Sequence, residues 1–102
     1  MEKMKFEYDA KEKITMTAHV GGVSSGDLEI IFSPAENLKT TVEIITCFDG
    51  NQKIWKSVLD RFFDQHSIAA EIKINDFGAT PGLVNLRLLQ GLEESMNETR
   101  KE

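Results

Sequence analysis

Apolar and polar residues alternate along two stretches of this chain and recur at helical spacing along two others. Ile14, Met16, Ala18 and Val20 stand against Thr15, Thr17 and His19, which is the period of a half-buried strand. Gly21 to Gly26 interrupts the alternation, and Leu28 to Phe32 resumes it with β-branched and apolar residues. Two such runs joined by a Gly/Ser loop predict a β-hairpin. Phe6 to Tyr8 offers a further short edge strand.

Pro34 to Asn37 reads as a turn. Thr40 to Cys47 is rich in β-branched residues on both faces, as in a central strand. Asp49-Gly50-Asn51 ends that strand and offers a helix cap. From Gln52 to His66, the residues Ile54, Trp55, Val58, Leu59, Phe62 and Phe63 fall on one half of the helical wheel. Lys56, Ser57, Asp60, Arg61 and Asp64 fall on the other. The aromatic stripe reads as core, with Trp55 either inside it or at its border, touching a partner. Ile68 to Asp76 alternates again. Thr80 and Pro81 suit the cap and first position of a second helix, along which Val84, Leu88, Leu92 and Met96 recur every four residues. The polar tail, Asn97 to Glu102, is predicted to fray. The fold class is α+β: a small, mainly antiparallel sheet with a β-hairpin and two helices packed on one face. At 102 residues the chain reads as one domain, 1–102.

Charge narrows the function. Lys and Arg number 12 against 17 Asp and Glu, a net charge of -5. The basic residues are scattered, so no stripe is available to neutralise phosphates, and nucleic acid is not a predicted partner. An acidic protein is better suited to the basic face of another protein. Asp60 and Asp64, on the acidic side of the first helix, are the first candidates for such a contact; solubility alone is the competing account. No apolar run is long enough to cross a membrane, and the N-terminus lacks the apolar block of a signal peptide. The expected location is the cytoplasm, with no direct membrane contact. Cys47 has no second cysteine and reads as a buried core thiol. His19 and His66 lie far apart without ligand-spaced neighbours, so no metal site is read. Asn97-Glu98-Thr99 matches the glycosylation pattern by chance.

The hairpin loop carries the remaining chemistry. Gly21 and Gly26 have the glycine spacing of a phosphate-binding loop, but Asp27 and Leu28 replace its Lys and Ser/Thr, and aspartate would repel phosphate. A hydrolytic serine needs a base and an orienting acid. His19, the nearer histidine, alternates onto the polar face and reads as an exposed strand residue. Two readings stay open. Ser24 and Ser25 close a turn, as serines commonly do, or a serine is displayed there for covalent modification by a second enzyme.

Several separated segments bear on that choice: Gly21 to Glu29 (GGVSSGDLE), Ile54 to Phe63 (IWKSVLDRFF), and Ile72 to Gly82 (IKINDFGATPG) leading into Leu86-Arg87-Leu88. Together they resemble the acyl carrier (delta) subunit family of malonate decarboxylase, from about Phe6 to Glu93. A fainter resemblance, limited to the Ser-Gly-Asp turn and Asp-x-Gly-Ala before the last helix, reaches the acyl carrier chain of citrate lyase. The resemblance implies a single acyl carrier domain that is not itself an enzyme. Ser25 matches the serine that carries phosphodiester-linked triphosphoribosyl-dephospho-coenzyme A, delivered by a prosthetic-group transferase; Ser24 is its adjacent rival. Gly26 would let the turn adopt a conformation that bulkier residues resist, and Asp27 would be read by the transferase or simply end the turn.

The resemblance also implies a cycle. The arm carries acetyl as a thioester, a transferase subunit exchanges it for malonyl with release of acetate, and decarboxylase subunits release carbon dioxide and regenerate acetyl. Two other readings are kept: a carrier in a citrate lyase-type acyl-exchange complex, and a small α+β interaction domain with no covalent group.

Overall fold

The computed structural model describes residues 1–22 and 27–96. Among these residues the chain forms, in order, β1 (Glu2–Asp9), β2 (Glu12–Lys13), β3 (Ala18–Gly21), β4 (Leu28–Pro34), β5 (Lys39–Thr46), α1 (Gln52–Gln65), β6 (Ile68–Asp76) and α2 (Pro81–Ser95). The sheet runs β1-β5-β6-β4-β3, with β2 paired to β6. The pairs β1–β5, β4–β6 and β3–β4 are antiparallel. β5–β6 and β2–β6 are parallel. Helix α1 is the connection that two neighbouring parallel strands require.

The register explains the core. Met4, Ile44, Ile74, Ile30 and Val20 stand side by side across the five strands. One step along, Phe6, Val42, Ile72, Phe32 and Ala18 form a second such rung. Period-two alternation sends both rungs to one face. All of these side chains are buried except Phe6, which packs against them partly exposed. α1 contributes Trp55, Leu59, Phe62 and Phe63, and α2 contributes Val84 and Leu88. Trp55 therefore belongs to the core. The opposite face, bearing Lys5, Ile31, Glu43, Ile45 and Lys73, borders a shallow groove of about 460 Å³.

A buried threonine lies at either end of the ladder. The Thr40 hydroxyl donates to the carbonyl of Ile68, and the Thr46 hydroxyl donates to Asp76. α2 begins as the sequence predicts: Thr80 accepts from the Leu83 amide at 3.2 Å, and Pro81 occupies the first turn. α1 differs. Asn51 stands at its N-cap position but makes no side-chain capping bond.

Several other expectations are corrected. The alternating run from Ile14 to Val20 is a strand only from Ala18. The amides of Thr15 and Met16 both turn to the carbonyl of Ser95 at 3.1 Å, and the Thr15 hydroxyl donates there at 3.0 Å. These bonds supply partners for the end of α2, which would otherwise leave carbonyls unsatisfied. β1 is longer than Phe6 to Tyr8, because Glu2 to Asp9 pairs along the whole of β5. Cys47 is exposed, since inward-facing Thr46 sends its successor outward. Asp60 is not a purely solvated carboxylate. It accepts from the Tyr8 hydroxyl and from Lys56 Nζ, each at 2.7 Å. Those two bonds, Lys56 first, hold its pKa below the usual carboxylate value. Burial, then Asp60, pushes the Tyr8 phenol upward. Replacing Asp60 would thus remove a link between α1 and the sheet, while Asp64 is simply exposed. No described helix is long and apolar enough to cross a membrane.

α2 approaches the sheet closely at Gly91, where a β-carbon would overlap the ring of Phe32. Alanine favours a helix over glycine by about 1 kcal/mol, but overpacking costs about 1–3 kcal/mol. Gly91→Ala should therefore lower the thermal midpoint by several degrees in a calorimetric scan. A rise would show that Phe32 can yield and that the contact is slack.

Candidate functional site

The candidate site is the end of the molecule where β3 gives way to β4. Ser24, Ser25 and Gly26 lie outside the described residues, as does the tail 97–102; the base of the loop is well defined on both sides. Gly21 has φ +78°, and a β-carbon there would overlap the Leu28 carbonyl, so this position needs glycine. The Gly22 amide donates to the Leu28 carbonyl at 3.2 Å, extending the ladder beyond β3. On the far side, the Asp27 carbonyl accepts from the Phe77 amide at 2.8 Å. The hairpin base is thus fastened to the loop that follows β6. Ser25 precedes Asp27 by two residues, a span of about 7 Å at most.

The side chain of Asp27 is half-buried and faces α2. Its Oδ2 stands 3.9 Å from Arg87 Nη2. Its Oδ1 and Arg87 Nε are both buried with no hydrogen-bond partner among the described residues. Arg87 also donates from Nη1 to Gln90 at 3.2 Å. Sequence reasoning gave Arg87 no role. The available signal was a guanidinium beside Leu88 and one turn from Val84 and Gly91, within the stripe that α2 turns to the sheet.

Asp76 organises the floor of this end. It is 5% exposed. Its Oδ2 accepts from the Thr46 hydroxyl at 2.8 Å, and its Oδ1 accepts from the amides of Gly78 and Ala79 at 3.1 and 2.9 Å. Thr46 Oγ1 in turn accepts from the Phe48 amide at 3.2 Å. One buried carboxylate therefore shapes the two loops beside the hairpin. Both helices begin at this same end, and neither carries an acidic residue in its first turn.

On the open face near the hairpin, His19 Nε2 lies 2.7 Å from Glu29 Oε2, and Asn75 Nδ2 donates to Glu29 Oε1 at 2.9 Å. His19 is exposed, as its place in the alternation predicts. The Asn75 bond, followed by the His19 bond, lowers the Glu29 pKa.

The comparisons with known proteins bear on the whole of this architecture. The sequence pattern of the malonate decarboxylase delta subunit family matches residues 15–95. This chain belongs to that family. It is 43% identical over 95 residues to a malonate decarboxylase acyl carrier protein of Stutzerimonas stutzeri, covering 92% of this chain and 96% of the relative. The corresponding protein of Azotobacter vinelandii is 39% identical over 98 residues, covering 95% and 99%. Among solved structures, a chain of a Pseudomonas malonate decarboxylase hetero-tetramer in complex with malonate superposes with a TM-score of 0.87. It is 43% identical, over 93% of this chain and 99% of that one. In this member of the delta subunit family, both the serine loop and its supports lie within the matched span.

The Glu29 cluster yields a pH prediction. A lowered folded-state pKa makes Glu29 stabilising above its ordinary value of 4.5. That contribution is lost as pH falls through the folded value. Asn75→Ala removes the first cause, so the Glu29 carboxyl should titrate closer to 4.5, and acid should erode stability less steeply. NMR titration of the side-chain carboxyl carbon checks this; an unchanged curve would show that Asn75 does not hold the charge.

Proposed function

We propose that this chain is the non-catalytic acyl carrier subunit of a malonate decarboxylase, with Ser25 as the attachment point of a phosphodiester-linked triphosphoribosyl-dephospho-coenzyme A. The observation that carries the reading is the family match over residues 15–95, which spans the Ser-Gly-Asp turn and the loops that fasten its base. The partners on this reading are a prosthetic-group transferase, a malonyl transferase and the decarboxylase subunits, in the cytoplasm.

The residues at the hairpin end suit such a group. A phosphodiester is an anion, and helix N-termini favour negative charge. Of the carboxylates near the loop, Asp76 is bonded to Thr46 and two loop amides, and the Asp27 charge is offset by Arg87 at 3.9 Å. When attached, the group would supply a thiol that holds acetyl or malonyl as a thioester. The contribution of this chain is positional. The hairpin ladder and the Asp27–Phe77 bond hold the attachment loop at one end of the molecule, and the core keeps that end rigid. Tethering then turns each meeting with an active site into an intramolecular event at high effective concentration. Gly26 would let the turn adopt a conformation that bulkier residues resist, and Asp27 would be read by the transferase or end the turn.

Intact mass and peptide mapping test the assignment on protein produced with its transferases. The added mass should map to Ser25. Ser25→Ala should abolish loading and leave the thermal midpoint within about a degree, because surface turn substitutions change stability little. Mass on Ser24, or none in an active complex, would overturn the assignment. The loaded chain alone should not consume malonate, and adding transferase and decarboxylase subunits should restore turnover.

A further inference from the structure

The hairpin end carries exposed apolar side chains that the fold does not use. Phe48 is 50% exposed, Phe77 43% and Ile54 51%. All three belong to segments that meet at this end: Phe48 follows β5, Phe77 follows β6, and Ile54 is in the first turn of α1. The Cys47 amide donates to the Asp76 carbonyl at 3.2 Å. This keeps the two strand ends paired as far as the loops, with neighbouring strands about 4.8 Å apart. The Phe48 ring edge lies over the side of Gly78 where a β-carbon would stand, at 3.4 Å. Ile54 lines a depression of about 100 Å³ with Ala79 and Pro81.

These side chains are exposed on rigid backbone. The Phe77 amide is bonded to Asp27, and the two residues that follow it are bonded to Asp76. The Phe48 amide is bonded to Thr46. Aromatic side chains on a fixed backbone have only two side-chain torsions to order on association, and buried aromatic anchors dominate interface energies. The same segment also holds the base of the serine loop, so Phe77 stands one backbone bond from Asp27.

We propose that Phe77 and Phe48, with Ile54 beside them, form the contact by which the acyl-exchanging partner subunit grips this chain. The partner surface is an apolar cleft with a basic rim at the entrance to its active site. The inference rests on the carrier reading above, because an arm on Ser25 can enter a partner only if the hairpin end faces it. The rim charge follows from the net charge of -5; Asp49, next to Phe48, is exposed and paired with the N-terminal ammonium at 3.4 Å. This contact is an alternative to the acidic side of α1, where Asp60 is bonded to Tyr8 and Lys56 and Asp64 is exposed.

The test uses the full chain and the purified transferase subunit. Phe48→Ser, Phe77→Ser and the double variant are compared with Leu38→Ser. Leu38 is also 50% exposed but sits before β5, at the opposite end of the sheet. With loaded carrier, the double variant should raise the KM for the carrier by about tenfold or more and leave kcat nearly unchanged. Leu38→Ser should match wild type, and Phe77→Leu should recover part of the loss. A structural role would instead lower the thermal midpoint, which is measured on the same samples.

Binding of the unloaded Ser25→Ala chain to the transferase, followed by fluorescence anisotropy, gives a readout that needs no arm. That binding should survive, and adding Phe77→Ser should abolish it. Equal KM values for wild type and the double variant would overturn the inference while leaving the carrier reading standing. So would self-association of the chain through this patch in sedimentation. A wild-type chain that is never loaded would overturn the carrier reading, whatever the anisotropy shows.

Discussion

The carboxylate of Asp76 is the group on which the functional end depends. Burying a carboxylate is unfavourable unless it is well supplied with donors. Here one oxygen accepts from Thr46 and the other from two consecutive loop amides. No cation takes part in these bonds; the compensation comes from the three hydrogen-bond donors. The arrangement joins four segments. Asp76 is the last residue of β6, its register partners are Thr46 on β5 and Leu28 on β4, and its donors include the turn before α2. Without this group, the turn before α2 and the end of β5 would lose their shared side-chain anchor, and only the backbone bonds Phe77–Asp27 and Cys47–Asp76 would still join these segments.

Stability and position are thus divided along the strands. The two apolar rungs, centred on Ile44–Ile74–Ile30 and Val42–Ile72–Phe32, lie under the helices and remove the largest side chains from water. Apolar burial is non-directional, so these rungs explain why the sheet and helices adhere but not why a loop takes one shape. The next rung, Thr46–Asp76, contributes less to cohesion and more to shape, because hydrogen bonds fix direction. The polar rung is adjacent to the serine loop, so variation in the apolar core need not alter how the loop is presented.

The elements that pack by period were legible in the sequence. The hairpin, the strand Ile68–Asp76, the Trp-bearing helix and the Thr80–Pro81 start of the second helix all follow from alternation, helical spacing and cap chemistry. What failed, failed for tertiary reasons. The run from Ile14 to Val20 alternates perfectly, yet Thr15 and Met16 turn to Ser95, eighty residues away for Thr15. Cys47 reads as core by composition and is placed outside by the phase of one strand. The parallel pairing of β5 with β6 leaves no local mark beyond the helix between them. Arg87 and Asp60 have partners on other elements, Asp27 and Tyr8, and no spacing rule reports such pairs. The proposal of Ser25 rests on resemblance alone, since a serine between glycines is chemically unmarked.

On the proposed carrier reading, the serine needs no chemical marking of its own. A catalytic serine must be activated where it stands, and activation leaves buried bases and aligned donors behind. His19, the nearest histidine in sequence, has its Nε2 against Glu29 on the open face. A serine that is loaded by another enzyme needs only to be reachable and to stay in one place. What the chain must supply is a rigid base for the loop and a surface that brings the correct partner to it. The bonds from Asp27 to Phe77 and from Asp76 to the following turn provide the first. On the proposed reading, the selective pressure that would fall on a nucleophile and its base falls instead on the backbone around an unactivated hydroxyl. The chemically informative residues are then those that hold the loop, and the serine itself carries little signal of its own.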